Sequence, residues 1–386
     1  IAIPTPILYK DKDGKEVMRL DIGSQEMGGL WSGKLENFSK LSATYSDIKL
    51  SHFKKQEVLT IAKVMTATDL KQDKQGKWSG PAKINIVDFK IAKPDGIKII
   101  GAKEAASIME ITGFLPSQKQ STDEDDSDLP FIDMLKNLGE KLSLQASVKG
   151  LILNSADIPM VKTKGLSFDN FDMAFSADGL QQGKISQLLQ LSYNGLKTKG
   201  GEEDALLPDH ANINMSLTNL PLKDILDVAA KIIPADQDNP AAKQVAALQA
   251  MITLPKMLSD AGTIMTLSKS GYGNEIYSAS LDGTVKANPK SPFGATGELN
   301  FGMDDIDATI KKLENKENQK ENLLKLNAIK EVCGKKADKK GSSIKCRITL
   351  DESANLSVND QDIKFLINAL SGKTADTKPE DTTAPH

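Results

Sequence analysis

Histidine, cysteine and clustered carboxylates build most hydrolytic, redox and metal sites, and this chain of 386 residues is sparing with all but the last. It has three histidines, His52, His210 and His386, and two cysteines, Cys333 and Cys346. His52 falls on the polar side of "DIKLSHFKK", and His210 follows "EEDALLPD" in an expected loop. No HExxH, GxSxG, P-loop or GxGxxG pattern is present to give either histidine a metal, a nucleophile or a phosphate to work on. "DKDGKE", with Asp11, Asp13 and Gly14, resembles the start of a calcium loop but lacks the later oxygen ligands and the distal Glu. "DEDDSD" offers Asp123, Asp125, Asp126 and Asp128 without a central glycine. Both acidic stretches read as solvated loops. The remaining carboxylates are abundant but unpatterned, so no acid–base pair can be nominated. No catalytic, cofactor-binding or metal-ligating residue is expected, and the chain is not expected to be an enzyme.

The cysteines bracket the Gly- and Lys-rich "GKKADKKGSSIK", a spacing outside the CxxC metal and redox patterns. Two thiols flanking one loop in an otherwise thiol-free chain suggest a Cys333–Cys346 disulfide, the alternative being two reduced bystanders. Closing a loop of this length contributes roughly 3 kcal/mol, largely by restricting the unfolded chain. It would also imply an oxidising compartment, most simply a bacterial periplasm.

The elements that would position any such groups are read from composition and phase. Apolar residues are 39% of the chain and aromatics 5%, so many thin layers fit better than one thick core. The net charge is −3, and of 49 basic residues only Arg19 and Arg347 are arginine. A nucleic-acid binder would show a basic stripe with arginine forks and interleaved aromatics, so no nucleic acid is expected as a partner. No apolar run approaches the ~18 residues of a membrane-spanning helix. The chain opens Ile1-Ala2-Ile3-Pro4 without methionine, which suggests a processed or truncated product whose signal peptide or membrane anchor lay upstream.

"ILYKDKDGKEVMRLDI" reads as two strands around an Asp13-Gly14 turn, and "GYGN" at 271–274 as a hairpin turn. In "LSFDNFDMAFSADGL" Leu166 and Phe168 alternate with polar residues, then the phase slips and Phe171, Met173 and Phe175 carry the apolar face. "INIVDFKIA" does the same, with Ile84 and Ile86 followed by Phe89 and Ile91. A β-bulge would explain both slips, and so would a turn that ends one strand and begins another. "NINMSLTNLPLKDIL" and "ELNFGMDDIDATIKKL" each run a strand straight into a helical pattern, with Asn219 and Asp305 placed as N-caps. Helices are expected over 131–141, 222–233, 240–260 and 306–333, each packing an apolar stripe on the sheet; the stripe of 240–260 is Val245, Leu248, Ile252 and Pro255. The organisation expected is an N-terminal β-rich region (1–114), an acidic linker or loop (115–130), an α+β region with repeated strand–helix units (131–370) and a disordered tail (371–386).

From "MLSDAGTIMTLSKSGYGNEIYSASLDGTVKA" through "GELNFGMDDIDATIKKL" to "CRITLDESANLSVNDQDIKFLINAL", the chain resembles the YdgA-like family of bacterial envelope proteins. Its closing segment has Asp360 where that family usually has glycine. The resemblance covers roughly residues 210–370 and implies a periplasmic, repetitive β-rich body, tethered by an N-terminal anchor; it brings no catalytic residues. The expected fold is α+β: an elongated, curved, mostly antiparallel sheet with bulged strands and a few amphipathic helices packed on it. The expected function is a non-enzymatic envelope protein with a structural or protein-interaction role, through an envelope partner or self-association. The alternative is periplasmic binding or transfer of a lipid or other hydrophobic ligand in a groove of the sheet.

Overall fold

The computed structural model describes residues 3–52, 56–93, 98–115, 139–154, 165–180, 182–199, 206–232, 240–315, 319–334 and 343–362. They form one open antiparallel sheet of 18 strands. The first are β1 (Ile7–Lys10), β2 (Glu16–Ser32), β3 (Asn37–His52), β4 (Glu57–Asp69), β5 (Lys71–Gln72), β6 (Trp78–Ala92) and β7 (Lys98–Phe114). Next come β8 (Lys141–Leu153), β9 (Gly165–Asp178), β10 (Ile185–Asn194), β11 (Lys197–Lys199) and β12 (His210–Leu220). The last are β13 (Ile264–Gly273), β14 (Ser278–Ala287), β15 (Ala295–Asp304), β16 (Ile344–Leu350), β17 (Leu356–Val358) and β18 (Gln361–Asp362). Each pairs with its neighbour in chain order, except that the short β5 and β11 pair with β6 and β9, leaving β4 beside β6 and β10 beside β12. The mostly antiparallel α+β expectation therefore holds. The sheet is also continuous across the expected linker, because β7 pairs with β8 from Ile100 to Thr112. The linker itself, the helix expected at 131–141, the acidic cluster at Asp123, Asp125, Asp126 and Asp128, and the tail with His386 fall on 116–138 and 363–386 or at their margins; the cluster and His386 lie outside the described residues.

The Asp13-Gly14 turn forms as expected, and it explains the acidic stretch. The Asp11 carboxylate accepts from the backbone N–H groups of Asp13 and Lys15, at 2.9 Å each. Asp73 does the same for Gln75 and Lys77, and Asp351 for Ser353 and Asn355. These carboxylates close hairpins. At "GYGN" the structure moves the turn: β13 runs on through Gly273, and Asn274 closes the loop by accepting from the N–H groups of Ile276 and Tyr277.

Four helices lie among the described residues: α1 (Leu222–Ile232), α2 (Pro240–Ala261), α3 (Ile306–Glu314) and α4 (Lys320–Cys333). None is long and apolar enough to cross a membrane. The expected single helix over 306–333 is two, because its apolar stripe lapses in "ENKENQKEN" and burial no longer favours a straight rod. Neither expected N-cap acts as one. Asp305 makes no side-chain cap bond, and the Asn219 amide donates to the Gly262 carbonyl instead. Both residues nevertheless hold a left-handed backbone, φ 57° and 53°, which asparagine and aspartate tolerate best after glycine. The repeat is thus a left-handed corner from strand into helix. It recurs where a pair of helices is inserted between two strands that remain hydrogen-bonded neighbours, β12 with β13 and β15 with β16. Of the stripe expected on 240–260, Leu248 and Ile252 are exposed and Pro255 is half-buried, while Ala261 at the end of α2 is buried.

Burial is uneven. Of twenty buried apolar residues among those described, only five, Ile22, Ala43, Trp78, Ala102 and Ala177, precede residue 180. The main cluster lies where α3 and α4 cover the C-terminal end of the sheet, around Met303, Ile306, Leu313, Leu326, Ile344 and Val358.

Candidate functional site

Directly opposed residues in neighbouring strands share a face. The register therefore lays out the sheet as rows running across it. One row is Leu20, Leu50, Leu59, Ile91, Ile100, Leu153 and Leu166. The next is Ile22, Ile48, Ile61 and Phe89, with Leu151 opposite Phe168 further along. A third, three residues further along β2, includes Val64, Ile86, Ala105, Val148, Phe171 and Tyr193, and reaches Met303 and Ile344 under α3 and α4. From β2 to β10 most of these side chains are half-buried.

Residues three apart in a regular strand point to opposite faces. Here Phe168 and Phe171 touch edge to face, with ring centroids 6.2 Å apart, and Phe168 also meets Tyr193 at 5.5 Å. The phase slip therefore keeps one apolar face continuous. It is not a bulge in either strand where the sequence shows it. The registers of β9 with β8 and β10, and of β6 with β4, run unbroken through the slip, so no strand carries a residue its partner lacks. Instead the long strands from β2 to β9, and the link between β10 and β11, each carry an extra residue at one level: Gly23, Asp47, Ala62, Asp88, Lys103, Gly150, Asp169 and Gly195, a line left out of the strand pairing on either side. Every second strand is left-handed there, at Asp47, Asp88, Gly150 and Gly195, with φ between 49° and 65°. Lys269 in β13 continues the alternation at φ 48°, and there the register does shift. Register shifts also occur elsewhere, as between Leu30 and Trp31.

The glycines of this line make room for their neighbours. A Cβ on Gly195 would lie 2.1 Å from the Asp169 carboxylate, and one on Gly150 2.9 Å from the Lys103 side chain.

The opposite face is polar. Its rows include Ser143, Ser176, Ser216, Thr266, Thr284 and Thr349. A shallow depression of about 560 Å³ lies on it between Ser147, Asp172, Ser192 and Asn212, with Asp172 its one ionisable residue. A second, of about 830 Å³, lies between Lys269, Asp282, Lys286 and Glu298.

The residues singled out in the sequence stay dispersed. His210 hydrogen-bonds Asp209 through Nδ1 at 2.6 Å, both half-exposed, and no hydroxyl among the described residues hydrogen-bonds it. His52 sits at the end of β3, partly buried. No group of three or more His, Cys, Asp or Glu among the described residues is placed to hold a metal ion. Cys333, at the end of α4, and Cys346, in β16, lie at disulfide distance with Cα atoms 4.9 Å apart, both buried in the C-terminal cluster. On the apolar face, burial raises the phenols of Tyr193 and Tyr272. The two tyrosines belong to one row, through Ala211. The folded state thus favours the neutral phenol, so this contribution to stability is present at neutral pH and is lost as pH rises through the folded-state values. Ultraviolet titration of the native protein should show phenols ionising late, and the delay should vanish in denaturant.

Sequence reasoning found two members of the unpaired line through their phase slips, but not the line. Its signal was available as Asp or Gly between apolar runs at six of the eight positions, Ala62 and Lys103 being the exceptions. No family model, curated protein or solved structure matches the chain.

Proposed function

We propose that this protein is a non-enzymatic component of a bacterial cell envelope that works through the apolar face of its sheet, in a structural or protein-binding role. The observation that carries this reading is the run of half-buried aliphatic rows between β2 and β10. Extensive apolar surface left partly open on a folded domain marks an interaction site. The disulfide-distance pair Cys333 and Cys346 supports an oxidising compartment such as the periplasm, and so does the resemblance to YdgA-like proteins. In this reading the unpaired line bends the sheet, and the apolar face lines a groove.

A second reading, binding of a lipid or other hydrophobic ligand in that groove, is favoured by the makeup of the face. Aliphatic and methionine side chains such as Ile84, Met109 and Met173 prevail there. Soft, unbranched methionine adapts to ligands without a fixed shape. Ile84→Lys and Met173→Lys place charge on the open face with little effect expected on folding. Wild type, isolated from an envelope fraction, should retain a protein partner in pull-down or a lipid in native mass spectrometry, and the double variant should lose it at least tenfold. Equal retention by the two would exclude the apolar face as the binding surface.

A further inference from the structure

The two edges of the open sheet differ. One ends in the short β17 and β18. The other is the outer side of β2, a strand of 17 residues. Its lower part is occupied: β1 pairs with it as far as Leu20, Thr5 Oγ1 accepts from the Ile22 N–H, and the Gln25 amide bonds both the N–H and the C=O of Ile3. From Glu26 to Ser32 the outer side has no strand partner among the described residues. Exposed edges are normally blunted by lysine, proline or brevity. "EMGGLWS" has neither lysine nor proline, and one charge. It ends in two large apolar residues, Leu30 and Trp31, 64% and 62% exposed. Trp31 is held edge to face on Phe38, centroids 5.3 Å apart, so its position is set before anything binds.

We infer that this edge pairs with the same edge of a second copy, antiparallel about a two-fold axis through Gly29. The free length fixes the register, since seven residues paired in full must centre on the fourth. That register suits the side chains. Met27 faces Trp31 of the second copy, a favourable sulfur–aromatic pairing, Gly28 faces Leu30, and Glu26 faces Ser32. Nothing bulky stands on the axis, and the only charge meets a hydroxyl instead of its own copy. Gly28 has open space beside it, which leaves room for the incoming Leu30. An isologous contact of this kind closes at two copies. A seven-residue strand pair buries less than the roughly 1,200 Å² of a standard interface, so the dimer dissociates on dilution. The contact is independent of the binding role proposed for the apolar face.

Sedimentation velocity over a concentration series tests it. Wild type should move from monomer toward twice the monomer mass. Leu30→Lys combined with Trp31→Lys should stay monomeric at every concentration with an unchanged far-ultraviolet circular dichroism spectrum. Register is tested by mixing Glu26→Cys chains with Ser32→Cys chains: a short bismaleimide should link the mixture and neither variant alone. Monomeric wild type throughout, a dimer that survives the double lysine change, linking within a single variant, or growth into open polymers through the β17 edge would each overturn the inference.

Discussion

Replacing Cys333 and Cys346 together by alanine should lower stability by about 3 kcal/mol, the value for closing a loop of thirteen residues. The loss should fall on one part of the molecule. Cys333 terminates α4 and Cys346 lies in β16, and both belong to the cluster that holds α3 and α4 against the sheet. Without the link, α4 keeps its contacts through Leu326 and Val332 but gains freedom to leave. Hydrogen exchange should therefore speed up in α3, α4 and β16, and change little in β2 to β9, which contribute no residue to the cluster. Reductant added to wild type should reproduce the effect of the double substitution. Two freely titrating thiols in native protein made under oxidising conditions, with no change of melting temperature on reduction, would refute this prediction and withdraw one support for a periplasmic location.

Much of this architecture was readable because antiparallel pairing is local. Alternation in "LSFDNFDMAFSAD" and in "INIVDFKIA" was enough to place strands and to expose the irregularity within each. A single strand could not show that its neighbours carry the same irregularity at the same level, because register is a relation between strands. The bulge reading failed for that reason: one extra residue looks alike whether or not the partner has one too. The helix over 306–333 was misjudged from the other side. Charge and helix-forming residues continue through 314–322, but the apolar spacing does not, and an apolar stripe to bury decides where a helix stays straight. The stripe on 240–260 erred in the opposite sense, since Leu248 and Ile252 have helical spacing yet are exposed. For the candidate site, composition directed attention to surfaces. Which surface stays open depended on where α3 and α4 pack, and that follows from the fold of the C-terminal cluster.

Valine at Gly150 or Gly195 should destabilise the protein by about 2 kcal/mol or more, because a β-branched residue would have to hold a left-handed backbone. At both sites the new Cβ also meets a side chain of the adjacent strand, Lys103 or Asp169, at 2.9 Å and 2.1 Å. Asp88 and Asp47 occupy the corresponding left-handed positions two and four strands from Gly150. Asp47→Gly and Asp88→Gly remove a modest backbone penalty there and should be neutral or stabilising by up to about 1 kcal/mol. The contrast separates two accounts of the unpaired line. If the left-handed residues are the means by which each strand absorbs an extra residue and keeps Phe168 and Phe171 on one face, backbone permissiveness should rank the variants, valine worst and glycine best. If the line were an incidental gap in pairing, valine would be as acceptable as anywhere in a sheet, where β-branched residues are favoured. Urea denaturation midpoints for the four variants decide between them, and a Gly195→Val protein as stable as wild type would remove the account that ties the slip in the sequence to the continuity of the apolar face.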